Sequence, residues 1–327
     1  MPANLPPEYF EAEKRFKEAI TVAEKILALE DLISTVPKHK GTDKLRGDLR
    51  RKLSKLREES LASTRKGRHA DIFTIEREGA SQVCLAGIPN SGKSSILASL
   101  TNAKPVIADY PISTLIPIPG MMPFEDIQIQ LVDLPPIGND ATDGWVSGIL
   151  RNADAIMLII TLTDDPAGYY ELLLSKLIFW NIHPLEPEEH KGHERGISKW
   201  ILIVGNKLDS ADAEMGFREL KERCKGRYPV ISVSAEKKMN LEELKKAIFG
   251  ISHIIRIYSK APGKDPDLLK PFTLKEGSTV FDLAGKIHKD YLERLKFARI
   301  WGSSKFEGQK VQRDYVLKDK DIVEIHA

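Results

Sequence analysis

The chain has 327 residues, of which 42% are hydrophobic and 29% charged, with a formal net charge of +2. This length suits two or three domains, and the apolar content is sufficient for a packed core. The two cysteines do not suggest a disulfide framework, and they fit a reducing cytoplasm. The longest apolar run, 155–162, is too short to cross a bilayer, and no signal-peptide pattern begins the chain. We therefore expect a cytoplasmic protein without a membrane anchor.

Two amphipathic helices are predicted before residue 70, with Pro37 marking the break between them. The first spans about 11–34. The second follows Thr42, a residue that can cap a helix N-terminus. One stripe of the second helix consists of leucines three or four residues apart: Leu45, Leu49, Leu53 and Leu56. The apolar stripes predict an N-terminal helical hairpin over residues 1–70.

Positive charge is concentrated in the second helix. Between Val36 and Arg68 there are twelve Lys and Arg against four Asp and Glu, so this stretch carries +8 and the remainder −6. A basic segment beside an acidic body fits contact with a phosphate backbone. Charge runs are, however, usually the solvent face of a helix, and composition alone leaves both interpretations open.

A glycine-rich motif follows the apolar run 83–86. The residues from Gly87 to Ser94 match the pattern G-x-x-x-x-G-K-[ST], and residues of helical composition follow from Lys93 to Leu100. At such a strand-to-helix turn, successive backbone N–H groups can point at one anion, which predicts a bound nucleoside triphosphate. A plain chain reversal with a solvated lysine is the alternative. The residues predicted to bind the phosphates are Asn90, Ser91, Gly92, Lys93, Ser94 and Ser95.

An acidic residue, Asp133, ends the alternating run 127–132. At the tip of a strand beside the phosphate loop, its carboxylate is placed to support Mg²⁺, often through a water. Ser94 is the predicted direct ligand, and Thr114 the ligand that closes over the γ-phosphate. Such a threonine coordinates only while the γ-phosphate holds the ion, as in a switch. Lys93, Thr114 and Asp133 are the predicted catalytic residues.

The segment Asn206-Lys207-Leu208-Asp209 follows the apolar run 200–204 and predicts which base is bound. The carboxylate of Asp209 can accept from both N1–H and N2–H₂ of guanine, whereas adenine offers no donor there. Lys207 can cover one face of the ring with its aliphatic stem, and Asn206 can tie this segment to the phosphate loop. An ordinary polar turn after a strand is the alternative.

A third segment, Ser234-Ala235-Glu236, ends the next apolar run, 230–233. Its backbone can present an N–H group to the carbonyl oxygen of guanine. The tripeptide is weak evidence alone, but the order of the three segments along the chain favours GTP as the ligand.

These motifs, together with the run from Ala108 to Leu115, resemble the Obg superfamily of GTPases. The segment from Pro271 to His326 resembles a TGS domain, and the region around 37–42 resembles the one before the G domain in developmentally regulated GTP-binding (DRG) proteins. The resemblance implies an α/β fold. A Rossmann-like P-loop GTPase domain would span 78–258, between the N-terminal helical hairpin and a β-grasp-like TGS domain at 267–327.

The resemblance implies a GTPase that hydrolyses GTP to GDP slowly with Mg²⁺ and acts as a ribosome- or RNA-associated switch. RNA would contact the basic helix and the TGS domain, and a regulatory protein partner is also expected. In similar GTPases an asparagine at the place of Asn90 helps bind K⁺, which acts where an arginine finger would otherwise sit. The alternative is that Asn90 simply suits a turn. Ile137 stands where Ras-like proteins have a water-orienting glutamine.

One departure from the family pattern affects the second switch. Pro136 stands where the family usually has glycine, and proline has no N–H to offer the γ-phosphate. Either this contact is absent and the switch senses the nucleotide state weakly, or Gly138 provides it after a local shift. A second functional hypothesis follows: a nucleotide-gated ribosome- or RNA-binding module with little or no hydrolysis.

Overall fold

A computed structural model describes residues 7–18, 22–37, 42–64, 75–102, 116–138, 140–186 and 196–326. The chain divides into two compact units, Met1–Thr74 and Ile75–Ala327. No helix within the described ranges is both long enough and apolar enough to span a bilayer.

The described residues of the first unit form three helices, where the sequence predicts a hairpin of two. They are α1 (Pro7–Glu18), α2 (Val22–Thr35) and α3 (Asp43–Thr64). α1 packs against α2, and α2 packs against α3. The residues predicted as one helix, about 11–34, therefore belong to two helices, because two short helices can bury their apolar stripes on each other and a single rod cannot. The shared core consists of Tyr9, Ala12, Leu29, Leu32 and Val36, with Phe16, Ile33, Leu45, Leu49 and Leu53 packed against it.

The second unit begins with a seven-stranded sheet in the order β2-β3-β1-β4-β6-β5, with β7 also paired to β6. β2 is antiparallel to β3, and the other pairs are parallel. The strands are β1 (Gln82–Gly87), β2 (Ile118–Phe124), β3 (Ile127–Asp133), β4 (Ala155–Thr161), β5 (Ile182–Pro184), β6 (Ile197–Asn206) and β7 (Val230–Ser232).

In the described parts of the chain, five helices accompany this sheet. They are α4 (Lys93–Leu100), α5 (Asp140–Asn152), α6 (Pro166–Phe179), α7 (Ala213–Cys224) and α8 (Leu241–Ser252). Every residue of β1 and β4 is buried. Continuous burial of this kind is typical of parallel strands covered by helices on both faces, so the predicted Rossmann-like arrangement is confirmed.

The second sheet, near the C-terminus, has five strands in the order β11-β10-β12-β8-β9. β12 runs parallel to β8, and the other pairs are antiparallel. The strands are β8 (Ile254–Ser259), β9 (Phe272–Lys275), β10 (Phe297–Trp301), β11 (Gln309–Val311) and β12 (Asp321–His326). Because β8 precedes the linker around 261–266, the sheet includes residues that sequence analysis places at the end of the G domain. The domain limits themselves stay predictions.

From sequence, the C-terminal segment is predicted to alternate short β-like runs with one helix at about 280–295, but the structure has two helices there, α9 (Val280–Ile287) and α10 (Lys289–Arg294). His288 separates them with an extended backbone, and its Nδ1 accepts the N–H of Asp290, 3.2 Å away. The side chain of His288 thus caps the second helix. α9 packs its apolar face on the sheet, with Val280 and Leu283 fully buried.

Candidate functional site

The predicted phosphate, metal and base residues meet at one edge of the seven-stranded sheet. β1, β3, β4 and β6 are parallel, so their carboxyl ends lie together. Asp133 is paired with Leu85 near the end of β1, and Asn206 is paired with Thr161 at the end of β4. In open α/β sheets this edge is where ligands bind.

The phosphate loop connects β1 to α4 through two residues with left-handed backbone. Asn90 has φ 58° and Gly92 has φ 88°. A Cβ at Gly92 would overlap the side-chain nitrogen of Asn206, so glycine is required by both space and backbone conformation. Asparagine tolerates this conformation better than most residues. The backbone is therefore consistent with the interpretation that Asn90 simply suits a turn. The K⁺ interpretation stays a prediction.

Lys93 lies at the N-terminus of α4 and is buried. Its Nζ donates to the carbonyl oxygens of Gly87 and Ile88, at 3.2 and 3.1 Å. Burial lowers the pKa of Lys93 to about 8, and the nearby carboxylate of Asp133 partly opposes this shift. An anionic phosphate beside the ammonium would favour its charged form again.

Ser94 and Asp133 are in direct contact. The hydroxyl of Ser94 donates to Asp133 Oδ2 at 2.5 Å. Asp133 is fully buried, and its burial raises the pKa of the carboxyl group although Ser94 and Lys93 oppose the shift. Among the described residues, Asp133 Oδ1 has no hydrogen-bond partner.

A buried carboxylate oxygen without a partner is costly unless a ligand completes it. The serine hydroxyl and this carboxylate are hard oxygen donors beside the phosphate loop, which is the donor chemistry that Mg²⁺ prefers. The residues present therefore fit the predicted Mg²⁺. Thr114, the other predicted ligand, lies outside the described residues.

The base-selecting segments are joined to the phosphate loop through Asn206. Its Nδ2 donates to the carbonyl of Ser91 at 2.9 Å, and its Oδ1 accepts the backbone N–H of Ala235 at 3.2 Å. Asn206 is 3% exposed and Ser91 is fully buried. One amide side chain thus holds three loops together, as the sequence predicts for the link to the phosphate loop.

Asp209 is exposed at this edge of the sheet. The buried hydroxyl of Ser234 donates to its Oδ1 at 2.6 Å, and this hydrogen bond holds the pKa of Asp209 below its usual value. The carboxylate of Asp209 is therefore charged at neutral pH and is held in place by Ser234. Lys207 is half-buried with φ 67°, and Glu236 is exposed beside Ala235.

The segment after Asp133 has its backbone donors engaged. Pro136 has none, Ile137 N–H donates to the carbonyl of Gly87 at 3.1 Å, and Gly138 N–H donates to Asp143 Oδ1 at 3.2 Å. Ile137 is buried, with 3% exposure. For Gly138 to contact a γ-phosphate, its hydrogen bond to Asp143 has to break.

Sequence reasoning missed Asp143 and its partner. Lys176 Nζ on α6 lies 2.8 Å from Asp143 Oδ2 on α5, and the pair is largely buried. Asp143 thereby joins the segment after β3 to two helices. No sequence motif marks this residue; only the burial of an acidic residue early in α5 distinguishes it.

A second charged cluster was also missed, at the turn between β2 and β3. Arg256, only 2% exposed, donates to Glu125 Oε2 at 2.6 Å, Asp126 Oδ1 at 2.9 Å and Asp319 Oδ2 at 2.7 Å. Tyr258 donates to Asp126 at 2.5 Å. The cluster joins the seven-stranded sheet to the C-terminal sheet. An arginine inside the apolar run 254–258 is the sequence signal that could have indicated it.

Comparisons with known proteins agree with this geometry. The family model described as "50S ribosome-binding GTPase" matches residues 82–207, and the model described as "TGS domain" matches residues 255–327. The chain is 30% identical to an uncharacterized GTP-binding protein of Methanocaldococcus jannaschii, over 94% of this chain and 93% of that protein.

Two further relatives and one solved structure are also similar to this chain. Ribosome-interacting GTPase 1 of Saccharomyces cerevisiae is 28% identical, over 93% of this chain and 99% of that protein. Developmentally-regulated G-protein 3 of Arabidopsis thaliana is 29% identical, over 93% of this chain and 98% of that protein. Among solved structures, Era in complex with MgGDPNP and a segment of 16S ribosomal RNA is 22% identical with a TM-score of 0.43, covering 54% of this chain and 57% of that one.

Proposed function

Because the chain belongs to the DRG family of GTP-binding proteins, Obg-superfamily GTPases with a TGS domain, we propose that it hydrolyses GTP to GDP and phosphate in a slow, Mg²⁺-dependent reaction. One observation carries the proposal. Asn206 joins the phosphate loop at Ser91 to the segment at Ala235, so that Lys93, Ser94, Asp133 and Asp209 form one nucleotide site.

The proposed roles follow from the chemistry of each side chain. Lys93 neutralises charge on the β- and γ-phosphates, and the loop from Asn90 to Ser95 presents its backbone N–H groups to them. Ser94, Thr114 and Asp133 hold or support Mg²⁺, which when bound neutralises charge that develops on the phosphates. Asp209 selects guanine, with Asn206, Lys207 and the segment 234–236 completing the pocket around the base.

Turnover is proposed to be slow because the side chain that follows Pro136 is unsuited to orient the attacking water. The side chain of Ile137 is aliphatic and buried, so it cannot form a hydrogen bond to a water. We propose that Asn90 would help to hold a K⁺ ion, which would supply positive charge beside the phosphates and so stimulate the reaction. Single-turnover hydrolysis in potassium and sodium buffers of equal ionic strength tests this: faster turnover in potassium supports it, and equal rates contradict it.

We further propose that the protein acts in the cytoplasm as a switch on the ribosome or another RNA, together with a regulatory protein. Relatives include a ribosome-interacting GTPase. The basic helix α3 supports this proposal because five of its lysines and arginines are exposed: Lys44, Arg50, Arg51, Lys52 and Lys55. Steep loss of ribosome binding with rising salt is expected, and binding that does not depend on salt would contradict it.

A nucleotide-gated binding module with little hydrolysis is the second candidate function. Pro136 and the engaged N–H of Gly138 favour it, because both weaken the response of this segment to a γ-phosphate. Isothermal titration with GTP, GDP and ATP in Mg²⁺ and K⁺ measures base choice and state discrimination. Single-turnover hydrolysis with and without ribosomes then separates the two functions, because a pure binding module shows no stimulation.

A further inference from the structure

The segment that follows β3, residues 134–138, contains two consecutive prolines and therefore has few backbone donors. Its first N–H, that of Leu134, donates to the carbonyl of Leu85 at 3.3 Å. The next, that of Ile137, donates to the carbonyl of Gly87 at 3.1 Å. Both acceptors are main-chain groups of β1, so these two donors stay engaged for as long as the strand is in place.

The remaining N–H of the segment, that of Gly138, has a side chain as its partner. It donates to Oδ1 of Asp143, near the start of α5, at 3.2 Å. A side chain can turn away by rotating about its own bonds, whereas a carbonyl within a strand cannot. Within 134–138, all of which the structure describes, Gly138 is therefore the donor whose partner can be exchanged while β1 stays in place.

The backbone of Gly138 also permits this exchange. Its φ is 101°, a value that side chains disfavour, and a Cβ added here would meet no described atom within 4 Å. Glycine is thus needed for the backbone conformation and not for space. Because glycine adopts positive and negative φ about equally readily, the peptide unit that carries this N–H can rotate at low cost.

Gly138 also lies close to the phosphate loop. The carbonyl of Gly87 accepts both the N–H of Ile137 and the ammonium of Lys93, at 3.1 and 3.2 Å. Lys93 is the side chain proposed to neutralise the β- and γ-phosphates, and Gly138 directly follows Ile137, about 3.8 Å farther along the chain. The N–H of Gly138 is thus the exchangeable donor of this segment that lies nearest to a γ-phosphate.

Asp143 is held at its other oxygen. Lys176 Nζ on α6 lies 2.8 Å from Asp143 Oδ2, and the pair is largely buried. The same ammonium lies 5.7 Å from the ring centre of Phe179 and 5.8 Å from that of Trp180, within the range of a cation–π contact. These contacts keep the carboxylate between α5 and α6, so it does not follow the N–H of Gly138 when that group rotates.

We propose that Asp143 is a positioning residue that determines how strongly the site prefers a triphosphate over a diphosphate. Without a γ-phosphate, its carboxylate holds the N–H of Gly138. A γ-phosphate has to take this N–H from Asp143, so the broken hydrogen bond weakens the binding of GTP and does not affect that of GDP. This inference rests on the proposed function and names a residue that sets the selectivity of the site for the nucleotide state.

A structural ion pair between α5 and α6 is the plainer interpretation of Asp143. It accounts for the contact with Lys176, but it does not require the contact with Gly138. The two interpretations differ in the sign of one effect. Removal of a purely structural carboxylate weakens the binding of both nucleotides or leaves it unchanged. Removal of a competitor for the N–H of Gly138 strengthens the binding of the triphosphate alone.

The test uses the full-length protein and titration calorimetry with GDP and with GMPPNP, a GTP analogue, in Mg²⁺ and K⁺. Asp143→Ala removes the competing acceptor. The affinity for GMPPNP is therefore expected to rise about fivefold, and the affinity for GDP to stay within about twofold. Asp143→Asn keeps a neutral acceptor, which binds an N–H about half as strongly as a carboxylate does, so the rise is expected to be about twofold.

Glu171→Ala on α6 is the matched control. Glu171 forms an exposed ion pair with Arg223, so this variant also removes one carboxylate from a pair with a base, away from the segment after β3. Its preference for GMPPNP over GDP is expected to equal that of the unchanged protein. Thermal unfolding checks the fold of every variant. Asp143→Asn preserves the shape of the side chain and decides the outcome if Asp143→Ala does not fold.

Three results would overturn the proposal. These are an unchanged or lower preference for GMPPNP in the Asp143 variants, an equal rise in Glu171→Ala, and a rise in GDP affinity as large as that for GMPPNP. If the unchanged protein bound neither nucleotide, the proposed function would fail and this inference with it. If it bound both nucleotides but the Asp143 variants left the preference unchanged, only the role of Asp143 would fail.

Discussion

The two ends of the β2–β3 hairpin differ in how their charges are satisfied. At the turn, Glu125 and Asp126 are bonded to Arg256, and Tyr258 completes the set. At the other end Asp133 is fully buried, yet within the described residues one of its oxygens has no hydrogen-bond partner. The turn is a finished structural contact, whereas the Asp133 end is built to accept a ligand.

This difference teaches where stability and function reside in the hairpin. Buried charges that have partners stabilise the fold relative to the same charges alone, while a buried carboxylate oxygen without one makes the fold less stable than it could be. Substitutions at the turn should therefore affect folding, and substitutions at Asp133 should affect ligand binding.

The largest effect is expected from Arg256→Met. The variant removes the shared cation from three carboxylates at the junction of two sheets, and we expect the unfolding free energy to fall by about 3 kcal/mol. Chemical denaturation measures the change. Arg299→Met, an exposed arginine on the same sheet face, is the control and should change stability by less than about 0.5 kcal/mol. Equal losses in the two variants would show that the cluster contributes nothing particular.

A paired substitution sharpens the comparison. Asp126→Asn weakens the bonds to Arg256 and Tyr258, so it should cost about 2 kcal/mol of unfolding free energy and leave GTP affinity unchanged.

Asp133→Asn should leave stability unchanged or raise it by up to about 1 kcal/mol, because it removes a buried charge. The same variant should weaken Mg²⁺-dependent GTP binding by about 10–100-fold. Titration calorimetry measures GTP binding by both variants, and denaturation measures their stability. A loss of stability in Asp133→Asn with a loss of GTP binding in Asp126→Asn would contradict the comparison.

The Arg256 cluster at the turn should also make the stability of the fold depend on pH. Burial alone would raise the pKa of Asp319, but its hydrogen bonds to Arg256 outweigh burial and hold the pKa below the usual 3.8. A lowered folded-state pKa stabilises the fold fully above the unfolded value and progressively less as pH falls through the folded value. Unfolding free energy should therefore decline below about pH 4, and the decline should be shallower in Arg256→Met. An unchanged slope in that variant would argue against the cluster as the origin.

The smallest effect is expected at Pro136. Pro136→Gly restores an N–H where the family usually has one, so preference for a GTP analogue over GDP should rise by about threefold to tenfold. Pro135→Gly controls for the added backbone freedom of the unfolded chain and should not change this preference. Calorimetric affinities for both nucleotides measure the result, and an identical preference in all three proteins would show that the missing N–H is unimportant.

Much of the fold could be predicted from local sequence. The phosphate-loop pattern between an apolar run and a helix indicated the β1–α4 turn, and the alternating run ending at Asp133 indicated β3, because both signals lie within a few consecutive residues. The link from Asn206 to the phosphate loop was also predicted, since an amide side chain near that loop can donate to one of its carbonyl groups.

Features that depend on distant residues could not be predicted. Arg256 meets Asp126 and Asp319 only because two sheets are joined, and no local pattern encodes that meeting. Apolar spacing continues across His288, so periodicity alone gave one helix where two occur.

The position of Asn206 has a consequence for fidelity. Since the side chain of Asn206 is bonded both to the segment proposed to contact the base and to the loop proposed to bind the phosphates, base recognition and phosphate binding would be mechanically coupled. A poorly fitting base would disturb the amide of Ala235 and, through Asn206, the carbonyl of Ser91. A wrong base would then also misplace the phosphates. The protein would therefore discriminate against it in the rate of hydrolysis as well as in binding.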